Sequence, residues 1–107
     1  MLPDMSVLDP EAVAPTIIGP GCTRRDFIAP DGVRVWIVDI EAGAQWPHVD
    51  VHDATGEVVF VLDGELIEGE RSIEAGSYIV FGPASRHQPR SETGVRLFGF
   101  NLLPQRT

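Results

Sequence analysis

Three side chains that can bind a metal ion alternate in the segment WPHVDVHDATGE (46–57): His48, Asp50 and His52. Because side chains of a β-strand alternate between its two faces, all three would share one face. Neighbours on that face lie roughly 6.6 Å apart, so Asp50 and His52 can converge on one ion. His48 and His52, roughly 13 Å apart on a straight strand, would both reach it only if the strand bends. The spacing therefore favours Asp50 and His52 as ligands, and leaves His48 as a ligand on a bent strand, a partner of a ligand or a group that faces the substrate.

Two more residues of the same chemistry follow, Glu57 and His87. Glu57 comes after the turn-like DATG and begins the apolar run VVFVL, where a buried carboxylate without a partner would be costly. A cation would be such a partner. His87 lies 30 residues later in GPASRHQP, whose proline and small residues are typical of a tight turn that leads into a strand. These residues predict a divalent-metal site in which Glu57 is either a ligand or a base.

Short apolar runs separated by glycine or proline make up most of the chain after residue 24. They are RVWIVDI (34–40), GEVVFVLDG (56–64), the hairpin ELIEGERSI (65–73), SYIVF (77–81) and VRLFGFNLL (95–103). The run 56–64 does not alternate, which predicts a strand buried on both faces. No run of ten residues has helical periodicity, so we predict an all-β sandwich or barrel. Residues 1–23, rich in proline, are predicted to form an extended arm with one short strand at TII, and 24–107 the β domain.

Length, charge and cysteine content exclude several classes of protein. The 107 residues suffice for one domain. A net charge of −8, from 8 basic and 16 acidic residues, argues against nucleic-acid and anionic-membrane partners. Cys22 is the single cysteine, which excludes an intramolecular disulfide and a cysteine-rich zinc site. Neither a signal-peptide pattern nor an apolar run near 18 residues is present, so the cytoplasm is the expected location.

The spacing of these residues resembles the two sequence motifs of the cupin superfamily. The first motif is G, five residues, H-x-H, three or four residues, E, six residues, G; the second is G, five residues, P-x-G, two residues, H, three residues, N. Five positions carry the family's residue: His52, Glu57, Gly64, Gly76 and His87. Five others differ from it: Ala44, Asp50, Gly82, Ala84 and Ser91. The amino-acid sequence of residues 56–89 is most similar to the ChrR-type branch. That branch includes zinc-binding halves of anti-sigma factors and small dioxygenase-like proteins.

The resemblance implies an antiparallel jelly-roll β-barrel, the cupin double-stranded β-helix, with one divalent metal ion inside. Carried over by position, the ligands are Asp50, His52, Glu57 and His87. Two histidines with carboxylates favour iron, manganese or nickel, while zinc stays open. If a bent strand recruits His48, the site instead approaches the three-histidine set that is usual in the family.

The function that follows is a metal-dependent enzyme acting on a small oxygenated or dicarbonyl-like molecule, of dioxygenase type, with Glu57 or His48 as proton carrier. A metal-assisted isomerase, lyase or cyclase would use the same ligands. The alternatives are a non-catalytic metal- or ligand-binding sensor and a metal-free scaffold. The family resemblance also predicts a homodimer in which the arm adds a strand to its partner.

Other polar and aromatic side chains have structural explanations. Trp36 and Trp46 are predicted to pack in the core or at its rim, with stacking on a substrate as the alternative. Arg86 and Arg90 flank His87 and are predicted to form surface salt bridges, with binding of an anionic substrate as the alternative. Cys22 is interpreted as an incidental buried or interface thiol. The acidic side chains of the hairpin are predicted to form a solvated face: Glu65, Glu68, Glu70 and Glu74.

Overall fold

Nine β-strands and one 3₁₀ turn make up the described part of the chain, residues 4–51 and 55–103 of this computed structural model. The 3₁₀ turn is Pro10–Ala12. The strands are β1 Thr16–Gly19, β2 Cys22–Phe27, β3 Val33–Ile40, β4 Asp50–Val51, β5 Glu57–Glu68, β6 Arg71–Glu74, β7 Tyr78–Phe81, β8 Arg86–His87 and β9 Val95–Leu102.

The strands form an antiparallel jelly roll. Seven of them make one sheet in the order β1-β2-β3-β9-β5-β6, in which β7 also pairs with β5. The short strands β4 and β8 pair with each other. Strand β5 is long enough to pair with several neighbours. Its first half pairs with β7 and β9, and its second half forms the hairpin with β6. The all-β jelly-roll prediction is confirmed, as is the hairpin that turns at EGE.

The core lies on the inner face of the large sheet, where alternate side chains point. Its buried members are Cys22, Trp36, Val38, Ile40, Trp46, Val59, Val61, Leu66, Val95 and Leu97. The prediction that residues 56–64 are buried on both faces is wrong. Val59 is 2% exposed whereas its neighbour Phe60 is 39% exposed, because Phe60 points to the outer face of β5, which no second layer from residues 4–51 or 55–103 covers.

The N-terminal segment packs on its own chain. Strand β1 includes the TII segment, as predicted, and pairs with β2 of the same chain. Glu11, in the 3₁₀ turn, forms ion pairs with Arg25 and Arg96, which also bind Asp39 on β3. The division at residue 23 stays a prediction, and β2 runs across it.

Across residues 4–51 and 55–103, the structure contains no helix long and apolar enough to cross a membrane.

Candidate metal centre

Three of the predicted ligands come together where three strands meet. Antiparallel pairing of β4 with β8 sets Asp50 directly beside His87. Glu57 begins β5 opposite Phe81 of β7. One ligand atom from each of Asp50, Glu57 and His87 lies within 4.8 Å of the others, and all three side chains are half-buried. This is close enough for the three to share one ion.

The His87 ring is held by contacts on three sides. Its Nδ1 lies 3.0 Å from Oε1 of Glu68 and its Nε2 lies 3.5 Å from Oδ2 of Asp50. The ring of Phe81 stacks on it with centroids 4.0 Å apart and planes tilted by 12°. In the neutral tautomer that donates its Nδ1 proton to Glu68, the Nε2 lone pair faces Asp50. Histidines that bind metals are usually oriented in this way by a carboxylate behind them, so this donor set fits a divalent ion.

Glu68 is the residue of this centre whose role the sequence prediction missed. It was predicted to lie on a solvated hairpin face, but its side chain is 15% exposed and bonds to His87. The register between β5 and β9 shifts between Val61 and Asp63, which marks a bulge. Inward positions are odd before this bulge and even after it, so Leu66 and Glu68 point inward. The prediction from charge and position in the hairpin therefore placed Glu68 on the wrong face.

Glu57 and His87 both have shifted pKa values. Burial raises the pKa of Glu57 to about 7, and the neighbouring Asp50 carboxylate adds to the rise. Burial by itself would lower the pKa of His87, but hydrogen bonds to Asp50 and Glu68 outweigh it and raise that pKa to about 9. The three carboxylates around the imidazole of His87 thus favour protonation of this group of residues. A divalent cation would take the place of the bound protons.

We expect the metal-free protein to lose stability as the pH rises from 4.5 to about 9. Each folded-state pKa lies above its ordinary value, 4.5 for Glu57 and 6.5 for His87. The two contributions are therefore complete below 4.5 and 6.5 and are lost as the pH passes about 7 and about 9. Thermal melts in a chelator across this range test the effect. Glu57→Gln should remove the lower step and keep the upper one; equal pH profiles for the two proteins would contradict the assignment.

The three clustered residues line a cavity of about 270 Å³. Its apolar wall includes Trp36, Val38, Trp46 and Leu97, so the two tryptophans, predicted to pack in the core, also line the cavity. Apolar walls around a few polar groups are typical of small-molecule sites.

The two remaining histidines differ in what the structure shows of them. His48 is exposed and lines the same cavity, with its ring centroid 6.0 Å from that of Trp46. Within residues 4–51 and 55–103, the three-residue cluster does not include it. His52 lies outside the described residues. The ligand roles of Asp50, His52, Glu57, His87 and His48 stay predictions.

The arginines next to His87 lie outside this cavity. Arg90 pairs with Glu92, both on the surface, and Arg86 is exposed. The cavity is instead lined by Arg24 of β2 and Arg34 of β3, which the sequence analysis did not single out. For Arg34 the sequence did contain an indication. It lies two residues before Trp36 on β3, and therefore shares the inward face of that strand.

No protein-family model matches the sequence, and no curated protein matches it significantly. An RmlC-like cupin from Shewanella frigidimarina NCIMB 400 superposes with a TM-score of 0.78 at 19% identity, over 95% of this chain and 94% of that one. The chain has the cupin fold. A proposed acetylacetone dioxygenase from Methylibium petroleiphilum PM1 matches this chain with a TM-score of 0.77 at 17% identity, over 95% and 79% of the two chains.

A regulatory protein has the same cupin fold. A chain from the complex of Rhodobacter sphaeroides SigE with the anti-sigma ChrR matches with a TM-score of 0.75 at 17% identity, over 85% of this chain and 50% of that one. These solved structures confirm the cupin fold that the two motifs implied. Because one fold serves both enzymes and regulators, the activity has to be argued from the site.

One motif position of this chain, Ala84, replaces a glycine of the family at a backbone conformation that glycine favours. Gly64 and Gly76 keep the motif's glycine and have φ of +79° and +90°, values that L side chains rarely adopt. Ala84 stands where the motif has glycine, and its φ is 63°. Such a conformation in a residue with a Cβ costs of order 1 kcal/mol, so the turn that leads to His87 carries some strain.

Proposed function

We propose that this cupin is a metal-dependent enzyme that acts on a small oxygenated or dicarbonyl-like molecule in the 270 Å³ cavity. The observation that carries the proposal is the cluster of Asp50, Glu57 and His87 within 4.8 Å, at the wall of a cavity that apolar and charged side chains line together. His52 completes the ligand set by motif position. Oxygen and imidazole donors favour iron, manganese or nickel, and zinc is compatible.

When bound, the ion would polarise a carbonyl or enolate oxygen of the substrate and, if it is iron, would offer a place for O₂. The protein's own groups supply the rest. Glu57, with a pKa of about 7, can hold or accept a proton at its carboxylate near neutral pH. His48, exposed and facing the cavity, is the second proton carrier. Trp36, Val38 and Leu97 exclude water from the bound molecule.

Metal content followed by oxygen consumption tests the proposal. Protein purified without oxygen should contain near one equivalent of iron, manganese or nickel by mass spectrometry, and should consume O₂ when acetylacetone or a related dicarbonyl is added. Glu57→Gln should reduce turnover by about 100-fold or more, in the range of a lost general base. A wild-type protein with no bound metal and no turnover would overturn the proposal.

Two other functions predict different outcomes in the same experiments. An isomerase, lyase or cyclase would convert its substrate under argon with unchanged rate. A sensor, favoured by the likeness to the anti-sigma complex, would retain zinc against chelators and turn over none of the dicarbonyls. A metal-free scaffold would contain no stoichiometric metal. The cytoplasmic location stays a prediction.

We also expect a homodimer, formed through the outer face of the large sheet. Two apolar rows cross this face: Phe27, Val35, Phe100, Val58 and Val80 in one, and Ile37, Phe98, Phe60 and Tyr78 in the other. Several of these side chains are exposed, and contiguous apolar surface of this kind marks interfaces.

Sedimentation equilibrium should give twice the 11.7 kDa mass of the chain. Val80→Lys, on the outer face of β7, should yield a monomer, whereas Thr93→Lys, in an exposed turn, should not. A monomeric wild-type protein would contradict the expectation.

A further inference from the structure

Two cationic side chains line the candidate active-site cavity, in a protein with twice as many acidic as basic residues. Arg24 lies on β2 and Arg34 on β3, and both share the inward parity of Trp36. Their side chains are 25% and 43% exposed, so a molecule entering from solvent can reach them. In an acidic protein, arginines in the cavity are not explained by a general excess of positive charge.

One carboxylate holds the two arginines. Asp26 lies between them in sequence and contacts Nε of Arg24 at 3.1 Å and Nε of Arg34 at 3.6 Å. Two guanidinium groups that share one carboxylate retain one net positive charge. The closest contact of each arginine with Asp26 is through Nε. A guanidinium carries five N–H donors, so each arginine has donors enough for a second carboxylate.

A neighbouring amide adds a third donor. Asn101 lies beside Arg34 in the pairing of β3 with β9 and lines the same cavity. Its Oδ1 accepts a hydrogen bond from Nε1 of Trp36 at 3.2 Å. This bond orients the side-chain amide, because Oδ1 faces the indole and the NH₂ group remains as a donor. Arg24, Arg34 and Asn101 therefore present donors to one cavity.

The other polar groups of the cavity have the opposite charge. Asp50, Glu57 and Glu68 surround His87, and an anion would be repelled from them but attracted to the arginines. A substrate with one anionic and one neutral oxygenated end would thus be oriented on entry.

We propose that Arg24 and Arg34, with Asn101, bind the carboxylate of the substrate, and that its neutral oxygenated end faces Asp50, Glu57 and His87. The substrate class is then a small carboxylic acid with a second, chelating oxygen function. This inference rests on the proposed function, because it names the substrate of the same cavity.

The test compares carboxylates with their neutral amides: acetate with acetamide, butyrate with butyramide, and benzoate with benzamide. Binding is measured by calorimetry and by quenching of the tryptophans that line the cavity. Wild-type protein should bind at least one acid about tenfold more tightly than its amide, in line with charge-assisted hydrogen bonds. Arg34→Gln and Arg24→Gln should each reduce this preference several-fold, and the double variant should abolish it, without changing the affinity for the amide.

Control experiments distinguish binding of the acid at this site from an effect of the protein's overall charge. Arg71→Gln, exposed on the hairpin, removes the same charge outside the cavity and should keep the full preference. Arg34→Lys should give an intermediate value, since lysine keeps the charge and loses the bidentate geometry. In the wild-type protein, raising the salt from about 0.05 M to about 0.5 M should weaken binding of the acid and spare that of the amide.

Failure of this inference and failure of the proposed function have different signatures. The acid preference should persist in metal-free protein, because the arginines do not depend on the ion. If metal and turnover are absent but Arg24→Gln and Arg34→Gln still abolish the preference, the anion site stands without the enzyme. If no acid binds better than its amide, or the preference survives in the double variant, the inference is overturned whether or not the protein binds a metal.

Discussion

His87→Ala is expected to lower the affinity for a divalent metal ion by at least about 100-fold, since even a residue that only orients a ligand contributes 10- to 100-fold. The substitution removes the imidazole that faces Asp50 and Glu57 and leaves two carboxylates of the cluster. It also releases Glu68, whose carboxylate holds Nδ1 of the ring. Metal content by mass spectrometry, and titration of metal into chelator-treated protein, measure the loss.

His48→Ala is the matched control for this substitution. His48 lines the same cavity but lies outside the three-residue cluster, so we expect that variant to retain the metal. Glu68→Gln, which keeps the size of the side chain and loses its charge, should weaken metal binding by about 10- to 100-fold. Equal loss in the His48 and His87 variants would instead assign His48 as a ligand, and retention in both would remove His87 from the site.

Gly64→Ala is expected to destabilise the fold by about 3 kcal/mol or more, or to prevent folding, in the range of substitutions that strain a special backbone conformation. Gly64 has a φ of +79°, and a Cβ there would lie 2.0 Å from the backbone oxygen of Gly94. That oxygen accepts a hydrogen bond from the amide of Glu65 and belongs to the turn before β9. The neighbouring backbone therefore cannot move away without breaking the sheet. Urea denaturation followed by circular dichroism measures the change.

Gly69→Ala separates the energetic cost of the left-handed conformation from the cost of the close approach to Gly94. Gly69, in the hairpin turn between β5 and β6, has a φ of +62° but has no atom within 4 Å of the position of a Cβ. It should show only the conformational cost of a left-handed alanine, about 1–2 kcal/mol. If Gly64→Ala cost no more than Gly69→Ala, the close approach to Gly94 would have no energetic consequence.

Several features of the molecule were accessible from the sequence because they depend on local spacing. Alternation of apolar residues between glycines and prolines predicted the strands, and the intervals from His52 to Glu57 and Gly64 indicated the cupin fold. The interval from Gly76 to His87 matched the second motif, and the family resemblance then implied that His87 belongs to the same metal site. These intervals are informative because residues two apart on a strand share a face, and a hairpin of given length returns the chain to a given place.

The apolar run of β5 shows where such reasoning ends. Its residues Val58 to Leu62 are all apolar, which predicted burial on both faces, yet Phe60 and Leu62 are exposed. The residues of a strand show that one of its faces is apolar. Whether another layer covers that face depends on how the rest of the protein folds and associates.

The sequence by itself determined the approximate strand segments, the residues able to bind a metal and the motif spacing that indicated the cupin fold. The pairing of β4 with β8, which joins distant parts of the chain, sets His87 beside Asp50. Only the tertiary structure decided that Glu68 lies behind His87, because a bulge reverses the inward parity of β5. It also decided that Arg24 and Arg34 face the cavity, since their strands meet there through non-local pairing. Local intervals set which residues share a face of one strand; long-range pairing sets which faces meet.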